Sequence, residues 1–303
     1  VLEHGQQDDW FNNKTIIILS TITVFGLVLF IWRELTYKRP VVNLGVLKDG
    51  NLRIGTVMCF ILGFGLYGST LIIPIYTQTI LGWTATDAGL LLIPGSITTA
   101  FMMPIVGKLL QRGVPQSYMV GLGFLIFFFF TYMMHNNMTP STGVEHLYWG
   151  LILRGIGLGL LFVPITTLSL STLKGKDIGE GAAFTGMMRQ LGGSFGIATI
   201  TTFITRFNQE HRVNLVSHLD TTRLEVQQRV LTLQKGFMSK GFTANESLNK
   251  AYQVIDYSVM KQSAVLSYMD IFLYLGIMFL CCIPIIFLIK KGKNTINPAD
   301  AMH

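Results

Sequence analysis

Seven stretches of the chain stay predominantly apolar for roughly the 20 positions that a helix needs to cross about 30 Å of hydrocarbon. They lie at 15–35, 52–80, 86–111, 115–135, 147–172, 179–206 and 264–290. Runs of this length, without the strict alternation of a half-buried strand, predict transmembrane helices. Glycine and proline interrupt several of them, which a membrane bundle tolerates because neighbouring helices satisfy the freed backbone groups. Trp10, Trp32, Trp83 and Trp149 flank the ends of runs, where amphipathic rings settle at a membrane–water interface.

The polar positions between the runs set an orientation. One group of short connections carries Lys38, Arg39, Lys48 and Arg53, then Lys108 and Arg112, then Lys174 and Lys176, then Lys290, Lys291 and Lys293. The alternate short connections, around 81–86 and 136–146, contain neither Lys nor Arg. Short cytoplasmic loops hold the cationic excess, so the pattern predicts a cytoplasmic C-terminus and places residues 1–14 outside. The polar stretch 207–263 is then an external loop, since long loops translocate largely regardless of charge. Within it, 223–237 and 249–262 show helical apolar spacing, predicting a pair of interfacial or packed amphipathic helices. A docking surface for a periplasmic partner is the competing reading.

Composition agrees with a lipid environment. Only 13% of the 303 residues are charged, against about a quarter in soluble domains, and the mean hydropathy is +0.50. A net charge of +7 would suit nucleic acid if it formed a continuous basic face. Here it is dispersed over short loops, so a nucleic-acid partner is not expected. Cys59, Cys281 and Cys282 fall inside apolar runs and read as small hydrophobes, not as a disulfide framework. The opening residues, VLEHGQQDDWF, carry no initiator Met and no signal-peptide pattern. They read as the interior of a longer protein.

Charges at membrane depth are functional candidates by default. Arg154 falls about two turns into its run and Arg189 near the middle of its own. Both should face the bundle interior or a cavity, as binders of anionic groups or partners of a carboxylate that moves during transport; a structural bond to backbone carbonyls or snorkelling to an interface is the competing reading. The acids lie in loops or near helix ends, Asp270, Asp87, Glu180 and Glu34 being the most nearly embedded. His4, His135, His146, His211, His218 and His303 lie in loops, at helix ends or at termini. No mid-depth carboxylate or His is thus available as a proton carrier. There is no HExxH, GxSxG, P-loop or CxxC, so neither an enzyme nor a metal or cofactor site is expected. Gly155 with Gly159, and Gly192 with Gly196, form GxxxG pairs that predict close helix packing. Pro74 and Pro164 each sit in the later half of the first helix of a three-helix unit. That placement is expected of a 3+3 inverted repeat, the plan from which transporter halves are built.

Several motifs in order carry a family resemblance. They are AspTrpPhe at 9–11, ArgProValValAsnLeu at 39–44, ThrAlaThrAspAlaGlyLeu at 84–90, the Gly-rich basic loop from Gly107 to Gly113, the stretch from Arg154 to Pro164, and ArgGlnLeuGlyGlySerPheGly at 189–196. In the basic loop, Gly107 is expected to permit a close helix approach, with Lys108 and Arg112 anchoring a turn closed by Gly113. The series resembles the C-terminal half of EmrB/QacA-type, fourteen-span drug/proton antiporters of the major facilitator superfamily. The resemblance implies an all-α membrane protein in two parts. Residues 1–36 would be an external stretch and a linker transmembrane helix. Residues 37–303 would be a six-helix bundle including loop 207–263. It also implies a bacterial cytoplasmic membrane, an absent N-terminal half holding the proton site, amphipathic small-molecule substrates with protons as the driving ion, and alternating access. Cavity-facing candidates are Tyr67, Thr70, Tyr76, Gln78, Thr166, Thr167, Met188 and Arg189, together with Arg154; packing or lipid contact is the competing reading for each. Other readings keep the fold and change the cargo to a siderophore, lipid or peptide, or take the chain as a truncated, non-transporting membrane protein.

Overall fold

A computed structural model describes residues 13–36, 47–173, 175–220 and 223–286. The expected motifs at 9–11 and 39–44, the cations Lys38, Arg39, Lys174, Lys290, Lys291 and Lys293, and the C-terminus lie outside the described residues. Among the described residues every regular element is helical. The order is α1 (Lys14–Thr36), α2 (Gly50–Thr79), α3 (Ala85–Leu91), α4 (Ile93–Gln111), α5 (Gln116–Asn137), α6 (Val144–Leu170), α7 (Lys176–Ser217), α8 (Leu224–Met238), α9 (Ala244–Cys281) and α10 (Ile283–Ile286).

Six of the seven expected spans match helices long and apolar enough to cross a membrane: α1, α2, α3 with α4, α5, α6, and α9 with α10. The seventh, 179–206, lies inside α7. That helix is long enough at 42 residues, but Arg189, Gln190 and its many small residues keep it less apolar than the other six. It nonetheless packs as a full member of the bundle, chiefly against α2 and α9. Pro94 follows the α3–α4 junction at Leu92 and lies in the first turn of α4, where a missing N–H costs no intrahelical bond and a new helix starts readily. Thr84 caps α3, accepting from the Asp87 amide at 3.2 Å while its hydroxyl donates to the Asp87 carboxylate at 2.6 Å. That is the physical content of the ThrAlaThrAsp motif.

The pairwise packing has the symmetry of an inverted repeat. Helix α2 packs most closely on α7, and α4 on α6, so the first helix of each three-helix unit meets the second of the other. Both interfaces depend on missing side chains. A Cβ on Gly192 would strike the Phe60 carbonyl and one on Gly63 the Arg189 carbonyl, while one on Gly196 would lie 2.8 Å from the Phe64 carbonyl oxygen. Across the other pair, a Cβ on Gly155 would strike the Gly95 carbonyl, and one on Gly159 would lie 2.5 Å from the Met102 Cβ. The contacts of Arg154 with Ser69 and of Gly55 with Ser169 make α2 and α6 antiparallel. In that register Pro164 lies level with Phe60, some fourteen positions or about 21 Å of helix rise from Pro74. The two prolines therefore lie at different depths, on opposite sides of the midpoint of α2.

The centre between α5 and α9 is filled by aromatic rings. Phe127 stacks on Phe279 at 4.1 Å between centroids, and Phe124, Phe130 and Phe272 meet this pair edge-on or extend it. Helix α1 stands apart, with only Ile16 and Glu34 buried among its described side chains.

Two expectations change. Within 207–263 both expected amphipathic segments are helical, 223–237 as the separate helix α8, but the second is only the start of a longer helix and little of the stretch is loop: α7 runs on to Ser217 and α9 starts at Ala244. Polarity ends a membrane span but not a helix. No proline occurs between 207 and 263, and α9 opens with a capping box in which Thr243 and Glu246 satisfy each other's backbone amides. At about 1.5 Å per residue, α7 is roughly 63 Å long, twice the hydrocarbon thickness. It leaves the bundle alongside α9, tied to it by His211–Asp270 at 2.8 Å, Arg212–Asp256 at 2.9 Å and Ser263–Asn208 at 2.6 Å. Secondly, Gly107 makes no close helix approach, because a Cβ there would meet nothing within 4 Å. The working glycine of that motif is Gly113, at φ 85°. Val114 bonds back to Leu109 and Gly113 to Leu110, a Schellman cap that ends α4. Lys108 and Arg112 lie beside it, at the end of the helix.

Candidate functional site

Helices α2, α6 and α7 bring together most of the expected polar residues. Arg154 is buried and faces α2. Its Nε donates to Ser69 Oγ at 2.9 Å, and its Nη2 donates to the Leu66 carbonyl at 3.3 Å and to Thr70 Oγ1. Those hydroxyls are themselves held, Ser69 donating to the Gly65 carbonyl and Thr70 to that of Leu66. The guanidinium is thus engaged by neutral oxygens, with no carboxylate in its shell among the described residues.

Arg189 is different. Half-buried on α7, its guanidinium lies 4.5 Å from the centre of the Phe162 ring of α6, a cation–π arrangement. No ion pair or hydrogen bond engages its guanidinium among the described residues. The next residue, Gln190, accepts a 3.0 Å hydrogen bond from the Tyr67 hydroxyl, and the Tyr67 ring fills the space left by Gly193. Thr166 and Thr167 return their hydroxyls to the helix at Phe162 and Val163. Thr166 and Met188 are half-buried, while Thr167 and Gln78 are exposed.

Tyr76 is not on this face. It is fully buried, packs edge-on against Tyr268, and its hydroxyl lies 2.7 Å from the Thr139 carbonyl and 2.9 Å from Thr142 Oγ1. It pins the α5–α6 connection to the end of α2. Tyr76→Phe is expected to cost about 1 kcal/mol, the worth of one buried hydrogen bond. A fall in the thermal midpoint of that size checks this.

Sequence reasoning missed Ser69, Phe162 and Gln190. Each lies within one residue of a named candidate or two helical turns along the same face, a signal that becomes visible only once the partner helix is known. It also missed the His211–Asp270 pair, whose members are 59 positions apart, one assigned to a loop and the other to a span end. Among the described residues no cluster of three or more His, Cys, Asp or Glu is placed to hold a metal.

With this geometry in view, known proteins supply a context. A family model described as Major Facilitator Superfamily matches residues 10–197. The fatty acid resistance protein FarB of Neisseria gonorrhoeae is 28% identical over 291 residues, 96% of this chain and 55% of that protein. The multidrug export protein EmrB of Escherichia coli (strain K12) is 28% identical over 221 residues, 73% of this chain and 43% of that protein. The colistin resistance protein EmrB of Acinetobacter baumannii is 23% identical over 295 residues, 97% of this chain and 56% of that protein. The chain spans about half the length of the relatives it matches.

Proposed function

This chain belongs to the Major Facilitator Superfamily, and from that premise we propose that it is the C-terminal half of a proton-coupled exporter of amphipathic compounds in a bacterial inner membrane. The observation that carries the reading is the pair of glycine-lined interfaces, α2 on α7 and α4 on α6. They join inverted units and leave a cationic, aromatic-flanked face on α2, α6 and α7. Two bundles rocking about a midplane site produce alternating access, and interfaces without side-chain interlock let helices tilt at small cost. The work is transport, not catalysis, and the proton carrier belongs to the half that this chain does not contain. The C-terminus is cytoplasmic in this reading.

The names of the relatives support export of amphipaths, since one is a multidrug exporter and another confers fatty acid resistance. The second of these favours a further reading, in which the cargo is an endogenous or host amphipath instead of a drug. Deleting the gene is expected to raise ethidium and detergent accumulation at least severalfold, and an uncoupler should abolish the difference in the parent strain. Unchanged accumulation of every dye, biocide and fatty acid tested would end both readings. The helical hairpin of α7, α8 and α9, with Val213, Val216, Leu224 and Leu231 exposed on it, is the proposed docking site for a periplasmic adaptor. Shortening α8 should then abolish adaptor co-purification, and undiminished recovery would exclude it.

A further inference from the structure

The depth of Arg189 is fixed by the helices around it. Helix α2 runs parallel to α7, since Gly192 meets Phe60, Gly196 meets Phe64 and Ile200 meets Gly68. The Arg189 backbone touches Gly63, which lies about 20 Å from one end of the 30-residue α2 and about 24 Å from the other. In the antiparallel register of α6, Phe162 falls at the same level. The guanidinium is therefore near the centre of a hydrocarbon layer about 30 Å thick. Snorkelling to a headgroup region about 15 Å away is beyond a single side chain.

A cation at that depth needs an anion or water. Of its five N–H donors, none has an acceptor among the described residues. The other embedded cation, Arg154, lies level with Thr70, about 10 Å along α2, and is bonded only to neutral oxygens there. The acids near the bundle are distant or engaged. Asp270 pairs with His211, Asp87 accepts from Thr84, and Glu180 lies nine residues, about 14 Å, along α7 from Arg189. The middle of this half carries two positive charges and no balancing carboxylate among the described residues.

We propose that Arg189 is the headgroup anchor for an amphipathic anion, specifically a molecule with a carboxylate at one end of an apolar body. The guanidinium fork takes the two carboxylate oxygens in a bidentate pair. Phe162 backs the guanidinium at 4.5 Å, and the adaptable, half-buried Met188 precedes it on α7. Tyr67 and Gln190, bonded to each other, lie on the neighbouring surfaces of α2 and α7. The inference rests on the export reading and adds to it a carboxylate-bearing class of cargo with its own anchor.

The test uses the intact transporter, expressed from its complete reading frame and purified in detergent. The probes are 11-(dansylamino)undecanoic acid and its uncharged methyl ester, with ethidium as a cationic amphipath. The parent protein is expected to bind the acid at least tenfold more tightly than the ester. Arg189→Gln should weaken the acid by tenfold to a hundredfold, on the order of the loss of a charge-assisted pair, and leave the ester within about twofold. Arg189→Lys should recover part of the loss. Equal affinity of the parent for acid and ester overturns the proposal without any variant, and so does an equal loss of both probes in Arg189→Gln. An acid affinity unchanged in Arg189→Gln overturns it too, as would be seen if a carboxylate from elsewhere in the transporter already occupies the arginine. Ethidium export that persists in any of these cases leaves the broader export reading standing. Failure to bind or export any of the three probes counts against that reading instead.

Discussion

If the proposed export function holds, Gly192→Ala lowers the thermal midpoint of the protein and abolishes export, while Gly186→Ala on the same helix leaves export intact and raises the midpoint slightly: this is the expected pair of results. The two glycines are six residues apart on α7 and differ in what a methyl group would meet. At Gly192 it runs into the carbonyl of Phe60, which is backbone and cannot rotate away; at Gly186 nothing lies within 4 Å. Overpacking of a close interface costs about 1–3 kcal/mol, and the upper end applies where both surfaces are helix backbone. Alanine in an open helical position gains up to about 1 kcal/mol over glycine. Gly155→Ala on α6 should repeat the Gly192 result, because the opposing group is again a backbone carbonyl, that of Gly95. The export loss has its own cause. Spreading α2 from α7 displaces Arg189, whose carbonyl lies against Gly63, from the ring of Phe162. Midpoints by intrinsic fluorescence together with dye efflux separate the stability effect from the functional one. Equal behaviour of Gly186→Ala and Gly192→Ala would show that the α2–α7 contact is not close-packed in the working protein.

How far the fold was legible follows from which signals are local. Length and apolarity of a run need no partner, so α1, α2, α5, α6 and α9 could be placed directly from the sequence. The GxxxG spacing also survives, because four residues return to one face of any helix; the partner helix does not, since nothing in Gly192 names Phe60. Polarity misled at 207–263. Asn208, His211 and Arg212 read as loop because they cannot lie in hydrocarbon, yet each has a partner across on α9, and a helix continues wherever its backbone bonds do. At the site, residue type showed that Arg154 and Arg189 are unusual, but it could not distinguish them. Only the structure shows one guanidinium bonded to three α2 oxygens and the other without an acceptor among the described residues. Tyr76 illustrates the same limit: a tyrosine one face away from Tyr67 has the same composition signal but serves the core.

That difference between the arginines leads to an unusual order of substitutions at Arg154. The guanidinium reaches three acceptors over one turn of α2, from Leu66 to Thr70, through Nε and Nη2. Lysine keeps the charge but has a single, strongly hydrated ammonium with no fixed fork. It buries the same charge with fewer acceptors in range, and an undercompensated buried charge costs several kcal/mol. Methionine has comparable length and no charge to desolvate. Removing Arg154 also leaves few orphans, because Ser69 and Thr70 already donate to backbone carbonyls. Arg154→Met is therefore expected to stay within about 2 kcal/mol of the parent, whereas Arg154→Lys should lose about 3 kcal/mol or more. The chemically conservative change becomes the more damaging one. Chemical or thermal denaturation in detergent reads this order directly. Lysine proving more stable than methionine would mean that Arg154 has an acidic or aqueous environment in the working protein, and that the neutral-oxygen shell on α2 is not what holds it.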